Sequence, residues 1–130
     1  MGLPGSGKTT LAARLTAALF PDVQWYNADA VREKYNDWDF STEGRLRQAA
    51  RLRELASLHS DVKYVIVDFV AALPEQRELF GADFIIWMDT IKKSRYADTN
   101  SAFVPPENYT LRLTDFNYSV DKIAYQLTNV

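Results

Sequence analysis

Gly2-Leu3-Pro4-Gly5-Ser6-Gly7-Lys8-Thr9 is the segment that decides the fold. It fits the spacing G-x-x-x-x-G-K-[ST], in which glycines let the backbone curl so that several N–H groups point at one anion. The lysine adds a compact positive charge, and the Thr9 hydroxyl offers an oxygen to Mg²⁺. The segment therefore predicts a phosphate-binding loop. The residues predicted to surround the anion are Gly5, Ser6, Gly7, Lys8, Thr9 and Thr10.

The residues after this loop predict a helix from Thr10 to Phe20, because they are rich in leucine and alanine and are followed by Pro21. The N-terminus of that helix faces the anion, so the helix dipole adds to the attraction. The motif requires a β-strand before its first glycine, yet only Met1 precedes Gly2. The strand comes either from upstream of the numbered chain or from elsewhere, and we favour a short upstream segment.

Extended and helical segments alternate along the rest of the chain. Strands are predicted at 23–27, 63–69 and 83–88, and a further extended stretch at 109–113. Helices are predicted at 29–35, from 41 or 42 to about 58, at 74–80 and at 119–127, whereas 92–106 is predicted to be irregular. Such alternation implies a parallel sheet with helices on both faces. The sequence thus predicts one α/β domain over residues 1–130, a three-layer sandwich that binds ligands at the carboxyl ends of its strands.

The composition excludes several kinds of site. The chain has 130 residues, the length of one domain, and its lack of cysteine rules out disulfides, thiolate zinc sites and a cysteine nucleophile. His59 is the only histidine, and the net charge of -2 argues against a nucleic-acid partner held by bulk positive charge. The longest apolar stretch, Tyr64 to Leu73, is far shorter than the ~20 residues of a membrane helix. No signal peptide is apparent, so we expect a cytoplasmic protein without a membrane partner.

Two carboxylates follow predicted strands, where chemistry is expected. Asp68 ends an apolar strand and is a candidate Mg²⁺ ligand beside Thr9, or alternatively a cap for the next turn. Asp29 follows the strand at 23–27 and is a candidate N-cap of the next helix. It is also a candidate general base for an attacking hydroxyl or a ligand of Mg²⁺-bound water, and the structural and functional roles can coexist.

Arginines cluster in the middle of the chain. Helical phase places Arg45 on the apolar stripe of its helix, whereas Arg47 and Arg51 fall on the opposite, exposed face. Burying an unpaired charge is costly, so Arg45 needs a partner, and an anionic substrate group is a candidate partner for it and for Arg32. Phe40 either packs before the helix as a hydrophobic staple or stacks on a base.

Together these segments resemble the adenylylsulfate kinases, which phosphorylate the ribose 3′-hydroxyl of adenosine 5′-phosphosulfate (APS). The family's Asp-Gly-Asp-Asn-x-Arg is matched in part by Asn27-Ala28-Asp29-Ala30-Val31-Arg32. Its Phe-Ser-Pro-Glu-Asp-Arg is matched in part by Phe40-Ser41-Thr42-Glu43-Gly44-Arg45. The similarity spans nearly the whole chain. It implies the P-loop NTPase fold, ATP and Mg²⁺ as cofactors, APS or a similar small molecule as acceptor, and a role in sulfate assimilation.

The resemblance also implies roles for single residues. Asp29 would be the catalytic acid/base and would organise Mg²⁺. The roles of Lys8 at the transferred phosphate and of Thr9 and Asp68 at the metal follow instead from the phosphate-loop pattern. The residues that would hold the substrate or line its pocket are Arg32, Phe40, Arg45, Gln48 and Phe69.

Several departures from the family pattern leave alternatives open. Asn27 replaces the first Asp of the family, and Asp68 replaces a substrate-binding Ser. A long basic lid is reduced to residues 91–96, which carry Lys92, Lys93 and Arg95. The alternatives are a P-loop kinase of a polynucleotide 5′-end, a nucleoside or another hydroxyl compound, and a nucleotide-binding module without catalysis. The segment 40–45 favours APS, and the sequence does not choose between a monomer and a homodimer.

Overall fold

The computed structural model describes residues 1–129 and confirms the predicted alternation of strands and helices. In chain order the elements are α1 (Lys8–Leu19), β1 (Val23–Asn27), α2 (Ala28–Tyr35), α3 (Thr42–Ser57), β2 (Tyr64–Asp68), α4 (Pro74–Phe80), β3 (Ile86–Met88), α5 (Ala97–Ala102), β4 (Leu111–Leu113) and α6 (Val120–Thr128).

The strands form two parallel pairs, β1 with β2 and β3 with β4. Met1 lies beside β3, because its amine donates to the Ile86 carbonyl at 2.7 Å and its own carbonyl accepts from the Met88 amide at 2.8 Å. An apolar cavity of about 400 Å³ lies between β2 and β3 and reaches α1. The described sheet is therefore in two parts, and a strand upstream of Gly2 stays a prediction.

Helices cover both faces of the strands. The face with α1 and α6 has a core of Leu11, Leu15, Met88 and Ile123. The face with α2, α3 and α4 has a core of Ala28, Val31, Ala49, Leu52, Phe69 and Ala71. Successive strand residues alternate between the two faces, so that Ile66 packs on the first core and Val67 on the second. This arrangement confirms the α/β sandwich with helices on both faces of parallel strands.

Some predicted boundaries were wrong. Helix α1 begins at Lys8, two residues before its predicted start at Thr10, because Gly7 is its N-cap. Strand β3 is limited to three residues, Ile86–Met88. Helix α5 lies in the stretch predicted to be irregular; its sequence, Ala-Asp-Thr-Asn-Ser-Ala, has no apolar stripe and no side-chain cap to announce it.

Within residues 1–129, no helix is both long and apolar enough to cross a membrane. The cytoplasmic location and the oligomeric state stay predictions.

Candidate active site

The phosphate loop leads directly into α1. Gly5 and Gly7 have φ values of 83° and 95°, in the left-handed region that favours glycine. A Cβ on Gly7 would also lie 3.1 Å from the Phe116 ring. Helix α1 has no side-chain cap and no acidic residue in its first turn. The backbone N–H groups of that turn are therefore suited to an anion.

Lys8 folds back over this loop, where its Nζ donates to the Leu3 carbonyl at 2.9 Å. Burial lowers the pKa of Lys8, and the negative charges of Asp68 and Asp29 oppose that shift. The ammonium group thus lies in the field of two carboxylates at the point where the loop meets the strand ends.

The other residues predicted to surround the anion differ in how far they are exposed. The Ser6 side chain is buried, and its Oγ has no hydrogen-bond partner among residues 1–129. The Ser6 backbone carbonyl accepts a hydrogen bond from the Thr90 hydroxyl at 2.7 Å. Gly5, Thr9 and Thr10 are exposed and line an open cavity with Gly7 and Lys8. Ser6 thus shapes the loop from within, and its contact with a nucleotide stays a prediction.

The Asp68 carboxylate is buried and bonded at both oxygens. Oδ1 accepts from the Thr9 hydroxyl at 3.3 Å and from Asn27 Nδ2 at 3.0 Å. Oδ2 accepts from Trp25 Nε1 at 2.6 Å and from Asn27 Nδ2 at 3.3 Å. All of its hydrogen bonds within residues 1–129 come from side chains, so the alternative of a turn cap is wrong. The Trp25 hydrogen bond was not predicted from the sequence, because it depends on the pairing of β1 with β2.

Asp29 lines the same cavity as Asp68 and has a different environment. The N-cap of α2 is Asn27, whose Oδ1 accepts from the Ala30 amide at 2.9 Å. Asp29 stands in the first turn of α2, is exposed, and lines the cavity that Lys8 also lines. The N-cap alternative for Asp29 is therefore wrong, and its carboxylate accepts no hydrogen bond from any other residue in 1–129.

Two arginines that line the same cavity lie against the Phe40 ring. Arg32 and Arg45 are each 4% exposed, and their guanidinium carbons lie 4.4 and 5.5 Å from the ring centroid. Burial lowers the pKa of both arginines, and the nearby carboxylates of Asp37 and Asp98, respectively, oppose it. The predicted burial of Arg45 is confirmed.

The partners of the two arginines lie within the protein. Arg32 donates to the carbonyls of Asp37 at 2.9 Å and Asp39 at 3.1 Å. Arg45 donates from Nε to the Phe40 carbonyl at 2.9 Å and from a terminal nitrogen to the Thr99 hydroxyl at 3.1 Å. A guanidinium has five N–H groups, so each arginine keeps donors for a ligand.

Ion pairs hold the segment that carries Phe40. Asp37 accepts from Arg47 at 2.8 Å and from Arg51 at 2.9 Å, and these bonds hold the pKa of the Asp37 carboxyl well below its usual range. Arg47 is 47% exposed, as predicted, but Arg51 is only 15% exposed. The prediction of an exposed Arg51 was wrong because it packs over the Tyr35 ring, 4.4 Å from the centroid.

Gln48 and Phe69 border the cavity but are also structural. Gln48 is 2% exposed, donates to the Ala28 carbonyl at 3.0 Å and accepts from Arg51 at 2.8 Å. Phe69 belongs to the core and makes an edge-to-face contact with Phe80, with 5.4 Å between the ring centroids. Their contacts with substrate stay predictions.

Residues in and near α5 complete the wall: Arg95 and Tyr96 belong to the segment 91–96 that stands in the place of the family's lid, whereas Asp98 and Gln76 were missed from the sequence. Arg95 and Tyr96 line the cavity, and Asp98 lies 3.9 Å from Arg45. Gln76 donates to the Arg45 carbonyl at 3.1 Å. No periodicity marks this part of the chain. The resulting cavity of about 660 Å³ joins the phosphate loop, both carboxylates and the Phe40 segment.

This chain is similar to several proteins that are named as kinases. A model of the adenylylsulphate kinase family matches residues 1–85. The Mycobacterium tuberculosis APS kinase CysC, in complex with AMPPNP and APS, superposes with a TM-score of 0.79 at 25% identity, covering 99% of this chain and 92% of that one. A cysteine-to-alanine mutant of the same enzyme gives 0.72 at 28% identity, with 99% and 91% covered.

A more distant structure shares the fold alone. An unliganded sugar kinase from Janibacter sp. HTCC2649 has a TM-score of 0.68 at 18% identity, with 99% of this chain and 90% of that one covered. Among curated proteins, none matches this chain.

Proposed function

Because the chain belongs to the adenylylsulphate kinase family, we propose that it transfers the γ-phosphoryl group of ATP to the 3′-hydroxyl of APS. Family membership makes it an ATP-dependent kinase, and the identity of the acceptor is the new element. One observation carries the proposal: a single cavity of about 660 Å³ joins the phosphate loop to Asp29 and to the Arg32–Phe40–Arg45 group.

The donor side of the cavity suits a triphosphate. The free first turn of α1 offers backbone N–H groups, and Lys8 places one positive charge beside them. Since phosphoryl transfer depends on positioning and on neutralising charge, we expect the Lys8 ammonium to leave the Leu3 carbonyl and bind the β- and γ-phosphates.

Asp29 is the candidate for receiving the proton of the acceptor hydroxyl. It is exposed to the cavity and free of hydrogen bonds from other residues in 1–129, whereas the Asp68 oxygens are already bonded to three side chains. A free carboxylate within the cavity can orient the hydroxyl and hold its proton as the oxygen attacks the γ-phosphate.

The acceptor side combines positive charge with an aromatic face. Phe40 is 42% exposed, so its ring can stack on a base even though two arginines lie against it. The free N–H groups of Arg32 and Arg45 can bind phosphate or sulfate oxygens with charge-assisted hydrogen bonds. This combination matches a nucleotide with an anionic 5′-group.

The residues at the strand ends fit Mg²⁺. Thr9 and Asp68 supply a hydroxyl and a carboxylate, the oxygen donors that this cation prefers. No group of three or more His, Asp or Glu side chains suited to a metal occurs within residues 1–129, so the nucleotide phosphates would complete the coordination. Bound Mg²⁺ would supply charge neutralisation on the phosphates.

An uncharged hydroxyl compound is a second candidate acceptor. The Asp98 carboxylate lies 3.9 Å from Arg45 at the wall of the cavity, where it offsets part of the positive charge that an anionic acceptor needs. A nucleoside would avoid repulsion from Asp98.

Transfer from γ-labelled ATP with Mg²⁺ tests the proposal. Acceptors are APS, a panel of nucleosides and an oligonucleotide with a 5′-hydroxyl. We expect label on APS. In Lys8→Ala we expect the rate of phosphate transfer to fall by at least about 10²-fold, because the preorganised positive charge at the transferred group is missing. Lys122→Ala, on the exposed face of α6, is the matched control. Label only on another acceptor would contradict the APS assignment, and an active Lys8→Ala would contradict the phosphate-loop assignment.

A further inference from the structure

The hydrogen bonds around Asp68 assign a role to two residues that the proposed reaction does not use directly. We propose that Trp25 and Asn27 are positioning residues, which fix the Asp68 carboxylate for the divalent cation that accompanies the nucleotide. The presence of the cation is part of the proposed function, so the inference rests on that proposal. The placement of the three side chains rests on the strand register.

The register of β1 and β2 places the three side chains together. Asn27 is the direct partner of Asp68, and Trp25 is the partner of Ile66, two residues earlier on β2. Alternate residues on a strand share a face, so all three side chains point towards the first turn of α1. Trp25 is the diagonal neighbour of Asp68, a separation that an aromatic side chain can span.

The two donors constrain the carboxylate from different sides. Trp25 Nε1 donates to Oδ2 at 2.6 Å, and the amide of Asn27 donates to Oδ1 at 3.0 Å. Asp68 is only 7% exposed, so water cannot easily replace these donors. A rigid indole on a strand leaves the carboxylate little freedom to rotate.

Asn27 also connects the carboxylate to the loop. Its amide nitrogen lies 3.3 Å from the Thr9 hydroxyl, and that hydroxyl donates to Asp68 Oδ1 at 3.3 Å. A hydroxyl has two acceptor lone pairs, so one on Thr9 remains for a hard cation. Asn27 Oδ1 accepts from the Ala30 amide, which fixes the amide in the orientation that donates to Asp68. An aspartate at position 27 would provide no such donor.

Partners that orient metal-binding carboxylates commonly change metal affinity by 10- to 100-fold. Trp25→Phe keeps a six-membered aromatic ring and removes the N–H donor together with the five-membered ring that carries it. We therefore measure ADP binding by calorimetry, once with Mg²⁺ and once with EDTA. The expected result is that Mg²⁺ strengthens ADP binding about tenfold less in Trp25→Phe than in the unaltered protein, whereas ADP affinity in EDTA stays the same.

Trp87→Phe is the matched control, because Trp87 lies on β3 in the other strand pair, where it contacts Tyr109 and Arg112. It should leave both affinities unchanged. An equal loss of ADP affinity with Mg²⁺ and with EDTA would mean that Trp25 merely supports the loop, and would overturn the inference. An unchanged Mg²⁺ effect in Trp25→Phe would overturn it as well.

A second measurement leaves position 25 intact. In a Trp38→Phe/Trp87→Phe protein the only indole is Trp25, and its emission should change when Mg²⁺ is added to the ADP complex. Constant emission would overturn the inference. Failure of the proposed function would be seen separately, as an unaltered protein that binds ADP with Mg²⁺ but labels no acceptor.

Discussion

Asn27 and Asp68 are direct partners at the carboxyl ends of β1 and β2, and the amide nitrogen of Asn27 lies 3.0 Å from Asp68 Oδ1. Because of this pairing, the two carboxylates that border the same cavity have different environments. Asp68 is buried and accepts hydrogen bonds from three side chains, whereas Asp29, two residues beyond Asn27, is exposed and accepts none from other residues in 1–129. A carboxylate held by donors suits a fixed cation ligand, and a free carboxylate suits proton transfer.

This division of roles predicts that Asp29→Asn keeps ATP binding and loses phosphate transfer. The amide retains the shape of the carboxylate but cannot take up the proton, so we expect kcat to fall by about 10²- to 10⁴-fold. Single-turnover transfer and ATP titration measure the two effects. Transfer at the parent rate would assign the proton to Asp68 or to water.

Asp83→Asn is the control for that change, because Asp83 is exposed in the loop between α4 and β3 and lies outside the cavity around the phosphate loop. It should leave both kcat and ATP affinity unchanged.

Asp98 should weaken the binding of an anionic acceptor. Its carboxylate is 67% exposed and lies 3.9 Å from Arg45. Because exposed ion pairs of this kind contribute little, Asp98→Asn should lower KM for APS only about two- to fivefold, with kcat unchanged. The effect should shrink at high salt. An increase in KM would indicate that Asp98 instead holds Arg45 in the binding orientation.

The Phe40 segment should be sensitive to acid. Hydrogen bonds from Arg47 and Arg51 hold the pKa of Asp37 below its usual range. A carboxyl with a lowered folded-state pKa stabilises the fold above its unfolded pKa of about 3.9, and that contribution is lost as the pH falls towards the folded-state value. We expect the free energy of unfolding to fall more steeply below about pH 4 in the unaltered protein than in Asp37→Asn. Urea titrations from about pH 3 to 6 measure this, and parallel curves would contradict it.

Local sequence signals predicted the parts of the site that local backbone geometry determines. The glycine spacing located the loop, the apolar run located β2, and helical phase placed Arg45 on the buried face. These features depend on residues within a few positions of one another. They needed no knowledge of tertiary contacts.

The missed features depend on contacts between distant residues. Trp25 and Asp68 are 43 residues apart, and Arg45 and Thr99 are 54 apart. From the sequence alone, an indole in a strand is interpreted as a packing residue, because its hydrogen-bond partner depends on the register with the next strand. Likewise, the partial burial of Arg51 requires the positions of Tyr35 and Asp37, which a helical wheel does not contain.

The pairing of Asn27 with Asp68 also explains two departures from the family pattern as one change. The pattern has Asp at the position of Asn27 and Ser at that of Asp68, so this chain keeps one carboxylate but carries it on the neighbouring strand. Since the two positions are direct partners, either strand can place the charge near Thr9. We therefore expect Asp68→Ser to raise the Mg²⁺ concentration for half-maximal transfer by about tenfold or more.

Adding Asn27→Asp to Asp68→Ser should then recover much of the loss, because the carboxylate returns to the same edge from β1. Aspartate is also a good N-cap, so the start of α2 should remain stable. ADP binding with Mg²⁺ and with EDTA gives a second readout, in which only the Mg²⁺-dependent part should recover. If the double variant binds Mg²⁺ no better than Asp68→Ser, the carboxylate acts only from β2, and the two departures are independent changes.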